Sequence, residues 1–189
     1  DGFDDLRSGD GEDYVREKYV SWNNDSGHSI TLGYLHGALH LYDAKYELRK
    51  HCFSRTGERL KNQILNAMDG DSFPLFVAEG DARSKETRIY NNGYLSKVMR
   101  SFRETSGDLF IYGFGFKDND QHLVERIVNS KIQNLYVGVR SQKSCQLLLP
   151  SLELIKERRS LLVEKGKRNH QLHIYYYSTE TAAVWNKHK

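Results

Sequence analysis

The chain has 189 residues, a formal net charge of +3 and an aromatic content of 12%. This length fits one domain with a sizeable core, and the aromatic content is too high for a disordered chain. The small net charge does not favour nucleic-acid binding, and no apolar run reaches the roughly 20 residues that span a bilayer. The two cysteines, Cys52 and Cys145, form no CxxC pair, which excludes a cysteine-rich zinc module and indicates a reducing, cytoplasmic setting.

The first half of the chain alternates short apolar runs with turn residues and helical periodicity. Residues 1–29 are predicted to form a loop and the end of a helix that stops at Trp22. The elements predicted after this segment are strands over 30–35, 38–42 and 46–53, a helix over 58–68, a strand over 75–78, and a helix over 88–104 that is interrupted near Asn91–Gly93.

Residues 107–140 have the length and pattern of a βαβ unit. The apolar runs Leu109–Tyr112 and Leu135–Val139 are predicted strands, and the segment between them has helical periodicity. A βαβ unit makes its two strands parallel, with a right-handed crossover. The remaining predicted elements are a helix over 151–165 that begins after Pro150, a strand over 172–177 and a short helix over 179–185. This alternation predicts an α/β fold with three layers and a mostly parallel sheet, in a single domain over 1–189 whose sheet core spans 30–177.

The first strand of the βαβ unit ends at Gly113, Phe114 and Gly115. Two glycines allow a tight turn and a close approach of a ligand to the backbone. Asp118 is predicted to cap the following helix, with Gln121 three residues later as in a capping box. Ligands of open parallel sheets bind beyond the carboxyl ends of the strands, so the glycine turn is a candidate binding loop.

Two earlier strands are also followed by glycines, after His36 and after Glu79. If these strands are parallel neighbours of the strand before Gly113, all three turns lie at one end of the sheet. That end would carry one histidine, one carboxylate and several glycines. The combination predicts a pocket for an extended polar ligand such as a nucleotide.

At these residues the chain resembles the sirtuin-like superfamily of NAD-binding domains, and within it a bacterial branch of unknown function. The segment Leu35-His36-Gly37 is similar to the strand end that holds the catalytic histidine of sirtuins, and 74–80 is similar to the acidic-glycine strand that follows it. The segment 108–115 resembles the strand that ends in a Gly-x-Ser turn against the adenosine half of NAD, and 135–139 the strand over the adenine ribose.

The resemblance implies a Rossmann-like fold that binds NAD, as substrate or ligand, without a metal. The implied reaction is NAD glycohydrolase (NADase) cleavage of the nicotinamide–ribose bond, with His36 as base and Glu79 assisting electrostatically. An NADase of this kind would be a cytoplasmic bacterial hydrolase that acts in antiviral defence. The implied cofactor-binding residues are Gly37, Gly80, Gly113, Phe114, Gly115 and Asp118.

The chain departs from the sirtuin pattern in three places. The insertion over 38–72 holds one cysteine and therefore lacks the zinc module, which argues against a lysine deacylase. Gly115 replaces the serine of the Gly-x-Ser turn. The glycine-rich phosphate loop should precede His36 and is not found there, so the fold is expected to be incomplete on its N-terminal side. Residues upstream of Asp1 or another chain, as in a homo-oligomer, would then complete the site.

Each candidate residue also has a structural interpretation. His36 would be a hydrogen-bonded histidine at a strand end, Gly113 and Gly115 an ordinary turn, and Asp118 only a helix cap. The corresponding alternative function is a non-catalytic nucleotide-sensing or assembly module of a larger bacterial protein. A nucleoside-processing enzyme on the same fold is a third possibility.

Two further patterns are interpreted as structural. His36 and His40 have helical zinc spacing, but the segment is predicted as strand and Gly37 stands where HExxH needs glutamate, so we reject a metal site. The basic residues over 156–159, with Lys165, Lys167 and Arg168, are predicted to form a solvated helix face rather than a surface for nucleic acid or a partner.

Overall fold

The computed structural model describes residues 3–4, 17–22, 32–45, 47–182 and 184. The chain is α/β and divides into two compact units, residues 1–79 with 85–99 (the first unit) and residues 80–84 with 100–189 (the second unit). The described strands form an antiparallel sheet and a separate parallel one. The prediction of one mostly parallel sheet is therefore wrong for the N-terminal half. The assignment of the whole chain to one domain stays a prediction.

The first unit contains a five-stranded sheet in the order β1-β2-β4-β3-β5, in which every pairing is antiparallel. Its strands are β1 (Phe3–Asp4), β2 (Tyr19–Trp22), β3 (Gly37–Asp43), β4 (Leu48–His51) and β5 (Pro74–Phe76). The helices α1 (Phe53–Thr56) and α2 (Leu60–Asp69) belong to this unit, and residues 85–99 add parts of α3 (Ala82–Tyr90) and α4 (Gly93–Arg103).

Tyr94 at the start of α4 organises the interior of the first unit. Its ring lies edge-on to Trp22 at 5.6 Å and to Phe3 at 5.3 Å between centroids. Its hydroxyl accepts a hydrogen bond of 3.2 Å from the backbone N–H of Tyr34. Because the ring is buried and its polar end is satisfied, Tyr94 joins the helix to the sheet without leaving a buried polar group unpaired.

Two predicted elements of the first unit are wrong. Residues 19–22 form β2 rather than the end of a helix, and residues 32–36 contain a bend and a turn rather than a strand. Residues 30 and 31 of the predicted strand, and 14–16 of the predicted helix, lie outside the described residues. The strand begins only at Gly37, which pairs with Phe76 in the antiparallel β3–β5 ladder. The predicted arrangement of three parallel strands with glycine turns at one end is therefore also wrong.

The second unit contains a three-stranded parallel sheet in the order β6-β7-β8. Its elements are β6 (Ser106–Ile111), a 3-10 turn (Asp118–Asp120), α5 (Gln121–Asn129), β7 (Lys131–Val139), α6 (Gln142–Glu164), β8 (His173–Ser178) and α7 (Thr179–Ala182). The predicted βαβ unit is confirmed: β6 and β7 pair in parallel, with α5 between them.

The two faces of the parallel sheet carry different side chains because residues alternate along each strand. One face, with Leu135 and Val137, packs against apolar residues of α5 and α6 such as Ile127 and Leu152. The opposite face carries a cross-strand row of stacked rings from Phe110, Tyr136 and Tyr175, with centroid distances of 4.5 Å and 5.0 Å. Such in-register aromatic pairs stabilise the pairing of neighbouring strands.

Helix α6 begins nine residues earlier than predicted. Ser141 and Ser144 form a reciprocal capping box at its start, and Pro150 lies inside the helix instead of opening it. The capping box predicted at Asp118 is wrong, because no side chain of the described residues caps the 3-10 turn or α5. None of the helices in the described ranges is both long and apolar enough to cross a bilayer.

Arg159 of α6 is 1% exposed, so the prediction of a wholly solvated basic helix face is wrong at this position. Its Nε donates to the Val128 carbonyl at 2.8 Å, and its Nη atoms donate to backbone carbonyls of α5, β7 and the segment before β8. These acceptors are Ile127, Ser130, Ile132 and His170. A guanidinium has five N–H donors, and all five are satisfied here by carbonyl oxygens. A cation at the last turn of α5 also interacts favourably with the helix dipole.

Gly37→Ala should destabilise the chain strongly. Gly37 has a φ of +76°, and an added Cβ would lie 2.1 Å from the Leu75 carbonyl oxygen in the neighbouring strand. We expect a loss of about 3 kcal/mol or more in the free energy of unfolding, measured by urea titration followed by far-UV circular dichroism. The control is Gly57→Ala, with a φ of +68° and no described atom within 4 Å, which should cost only about 1 kcal/mol. Equal losses for both variants would contradict the steric argument.

Arg159→Met should also destabilise the chain, because it leaves several buried carbonyl groups without donors. We expect a loss of about 3–5 kcal/mol in the free energy of unfolding, measured by urea titration followed by far-UV circular dichroism. Arg158→Met is the matched control. Arg158 is the adjacent residue, and its guanidinium pairs with Glu125 at a partly exposed position. That pair is worth about 1 kcal/mol at most. A loss at Arg159 no larger than at Arg158 would refute the assigned role.

Candidate functional site

A cavity of about 570 Å³ lies at the carboxyl ends of β6 and β7 in the second unit. Its wall includes the turn after β6, the last residues of β7, and the first turns of α6. Parallel strands place their carboxyl ends together, and the loops that leave them commonly form the ligand site of an open α/β sheet. We call this pocket the carboxyl-end cavity.

The glycine turn predicted as a binding loop forms one wall of this cavity. Gly113, Phe114 and Gly115 all line it. Gly113 has a φ of +71°, and no described atom lies within 4 Å of the position of a Cβ there, so the backbone is open on this side. Contact of these three residues with a ligand stays a prediction.

Part of the cavity lining is apolar. Leu147 and Leu148 of α6 line it together with Val139 at the end of β7. Leu147 is 72% exposed, an unusually large exposure for an apolar side chain at a cavity wall. Phe114 extends this surface from the glycine turn, where its ring packs edge-on to Phe116 at 4.8 Å. A flat apolar group could pack between these side chains.

The charge of the cavity wall comes from two cations, Lys117 after the glycine turn and Arg140 after β7. Neither side chain makes an ion pair or a hydrogen bond to the residues that the structure describes. Among these described residues, the cavity lining includes no carboxylate, imidazole or thiol. A positive field without a counter-charge favours an anionic ligand.

The end of the sheet below the cavity is held by Tyr177 of β8. Its hydroxyl donates a hydrogen bond of 3.0 Å to the carbonyl of Ile111, the last residue of β6. The phenol crosses over Gly138 of β7, where an added Cβ would lie 2.9 Å from the Tyr177 hydroxyl. The bond therefore links the two outer strands across the middle one, next to the start of the glycine turn.

The other predicted site residues lie elsewhere. His36 and Glu79 are in the first unit, where the His36 carbonyl accepts a hydrogen bond of 2.8 Å from Val77 N–H. The antiparallel β3–β5 pairing thus brings His36 close to the chain that leads to Glu79. In that pairing, a side chain at position 37 would clash with the Leu75 carbonyl oxygen, which is a structural reason for glycine there. Their chemical roles stay predictions.

Gly80 and Asp118 belong to the second unit but do not line the carboxyl-end cavity. Gly80 precedes Asp81, whose Oδ1 accepts a hydrogen bond of 2.7 Å from Ser84 N–H at the start of α3. That bond lowers the pKa of the Asp81 carboxyl group. Asp118 begins the 3-10 turn.

Several cavity residues were missed in the sequence: Lys117, Arg140, Ser144, Leu147, Leu148 and Thr179. Arg140 directly follows the predicted strand 135–139, so the carboxyl-end rule applied to that strand would have found it. The leucines were missed because the sequence pattern predicts a helix that begins only after Pro150. A helix starting at 151 leaves 147 and 148 in a loop.

A family model described as "Domain of unknown function (DUF4917)" matches residues 1–185. The chain belongs to this family. The DUF4917 description assigns no activity, so the function must be argued from the site itself. No curated protein and no solved structure matches the chain.

Tyr177→Phe should loosen the carboxyl end of the sheet, because it removes the hydroxyl that donates to the Ile111 carbonyl. We expect a loss of about 1 kcal/mol in the free energy of unfolding, and faster amide exchange at Tyr112 and Gly113. Tyr175→Phe is the control on the same strand, since its hydroxyl makes no hydrogen bond to the described residues. Urea titration and hydrogen exchange measure both effects. The interpretation fails if exchange at the glycine turn responds equally to both substitutions.

Proposed function

We propose that this DUF4917 chain binds NAD or a closely related adenine nucleotide in the carboxyl-end cavity. The observation that carries the proposal is the convergence of a glycine turn, an apolar wall and two cations without described partners at the carboxyl ends of parallel strands. A nucleotide needs these three elements: backbone that allows close approach, positive charge for phosphate, and an apolar surface for the base.

The cavity dimensions and wall chemistry suggest how the ligand lies. The volume of about 570 Å³ falls within the roughly 300–1,000 Å³ typical of small-molecule sites. Phosphate oxygens would meet Lys117 and Arg140, and the guanidinium fork can hold two of them at once. The adenine ring would pack on Leu147 and Leu148. This orientation agrees with the sequence resemblance, in which the segment 108–115 faces the adenosine half of NAD.

Cleavage of NAD is the further proposal that the sirtuin-like resemblance supports. The bond between ribose C1′ and the nicotinamide nitrogen would break, water would add its hydroxyl to C1′, and nicotinamide would leave with the bonding electron pair. By the same resemblance, His36 would accept the proton and Glu79 would stabilise the positive charge that develops on the ribose. Both residues belong to the first unit, and neither lines the carboxyl-end cavity. NAD depletion of this kind would fit a role in antiviral defence.

The second candidate is a non-catalytic nucleotide-sensing or assembly module. One observation favours it: the described residues that line the carboxyl-end cavity include no histidine, carboxylate or thiol. Histidine is the side chain that enzymes use most often as a general acid or base, and carboxylates are also common in this role. The described lining therefore supports binding of a nucleotide more directly than proton transfer.

Binding is tested by isothermal titration calorimetry with NAD, ADP-ribose and adenosine. We expect Lys117→Gln and Arg140→Gln each to weaken NAD and ADP-ribose binding by about tenfold, because each removes a phosphate contact worth roughly 1.4 kcal/mol. Adenosine, which has no phosphate, should be unaffected by either change. The matched control is Lys143→Gln, an exposed cation on the first turn of α6 that does not line the cavity. Undiminished NAD binding by both variants would overturn the proposed site.

Activity is tested by chromatographic detection of nicotinamide after incubation with NAD. An NADase should release nicotinamide, and His36→Ala should lower the rate by at least about 100-fold without weakening ADP-ribose binding. Release at the parent rate by this variant would eliminate His36 as the base. Binding of NAD without any release would favour the sensing module.

A further inference from the structure

The opposite, amino-terminal ends of the parallel strands border a second cavity of about 480 Å³, the amino-end cavity. Ser106 and Lys131, the first residues of β6 and β7, line it. The segment between α6 and β8 forms another wall with Lys167, Arg168 and His170. All of these residues belong to the second unit.

The wall of the amino-end cavity is strongly cationic. Lys131, Arg159, Lys167 and Arg168 line it, and no carboxylate is among the lining residues in the described part of the chain. Lys131 pairs with Glu104 at an exposed position just outside. Lys167 makes no side-chain hydrogen bond or ion pair with any residue that the structure describes. The three cations of the wall other than Lys131 form no ion pair with a described carboxylate, although Glu104 also interacts with Arg168 electrostatically.

Arg168 is a partly buried cation of this wall with one unsatisfied donor. Its Nη atoms donate to the carbonyls of Lys167 and Asn129. Its Nε is buried without a hydrogen-bond partner among the described residues. A buried donor without a partner costs free energy, and a ligand oxygen could recover part of that cost.

The two arginines of the cavity repel each other. Burial and, secondly, Coulombic repulsion from Arg168 lower the pKa of the Arg159 guanidinium. The five donors of Arg159 are satisfied by neutral carbonyls, which supply dipoles but no negative charge. A bound anion would offset this repulsion, because it would be attracted by both guanidinium groups.

We propose that the amino-end cavity is a second ligand site, which binds a small anion with several phosphate oxygens, such as pyrophosphate or the polyphosphate of a nucleotide. Lys167 and Arg168 would contact the phosphates directly, and Arg159 would supply positive charge from beneath. Gln133 and Asn169 add neutral donors to the wall. The cavity volume suits a small ligand rather than a nucleic-acid duplex. This site does not depend on the nucleotide proposed for the carboxyl-end cavity.

The test is isothermal titration calorimetry of the full chain with inorganic pyrophosphate. We expect binding to the parent, and at least about tenfold weaker binding to Lys167→Gln and to Arg168→Gln. Lys165→Gln is the control, because it makes the same charge change in the same segment outside the cavity wall. It should bind pyrophosphate as the parent does. Lys167→Gln removes a side chain with no described partner, so it tests the site even if Arg168→Gln unfolds.

Two further titrations distinguish this site from the carboxyl-end cavity and from a nucleic-acid surface. In the Arg140→Gln background, which removes the proposed phosphate-binding arginine of the carboxyl-end cavity, Lys167→Gln should still weaken pyrophosphate binding by at least about tenfold, and this separates the two cavities. A short single-stranded oligonucleotide should bind more weakly than pyrophosphate. The proposal is overturned if the parent binds no pyrophosphate at millimolar concentration, if Lys165→Gln weakens binding as much as Lys167→Gln, or if only the oligonucleotide binds.

Discussion

The buried guanidinium of Arg159 is the interaction on which the second unit depends. One side chain from α6 donates to the end of α5, the start of β7 and the segment before β8, using carbonyl oxygens from all three. These are the places where the chain enters the parallel sheet. Carbonyls at a helix end have no intrahelical donors, so a single cation there supplies donors to several of them. The Ile127 carbonyl also accepts hydrogen bonds from the backbone and side chain of Ser130. From these entry points the strands β6, β7 and β8 run in parallel through the sheet.

That register gives the two ends of the sheet different chemistry. At the carboxyl ends, the glycine turn, Lys117, Arg140 and the leucines of α6 surround a cavity with an apolar wall and a cationic rim. At the amino ends, the charge of Arg159 is reinforced by Lys167 and Arg168 around a polar cavity. No described carboxylate lines either cavity, and both therefore favour anions. The first combines charge with a surface for a flat ring, whereas the second presents charge and hydrogen-bond donors.

The sequence predicted the elements of the second unit better than those of the first. In 107–140, strand, glycine turn, helix and strand are adjacent in the chain, so local periodicity alone indicated the pairing. In the first unit the sheet is built from strands that pair across long separations, such as β2 with β4. Gly37 is an example. The sequence resemblance implied a role in cofactor binding, whereas the structure shows that the Leu75 carbonyl of an antiparallel partner strand lies too close for a larger residue. Periodicity does not encode the direction of a partner strand.

By itself, the sequence determined the α/β class, the βαβ unit, and a glycine turn at the carboxyl end of a parallel strand, because each follows from the spacing of neighbouring residues. Only the tertiary structure decided that His36 precedes an antiparallel strand and that Arg159 is buried. It also decided that Lys117, Arg140 and Leu147 share one cavity wall. These facts depend on segments separated by tens of residues. Their contacts are selected by burial and hydrogen-bond satisfaction over the whole unit, which a local pattern cannot represent.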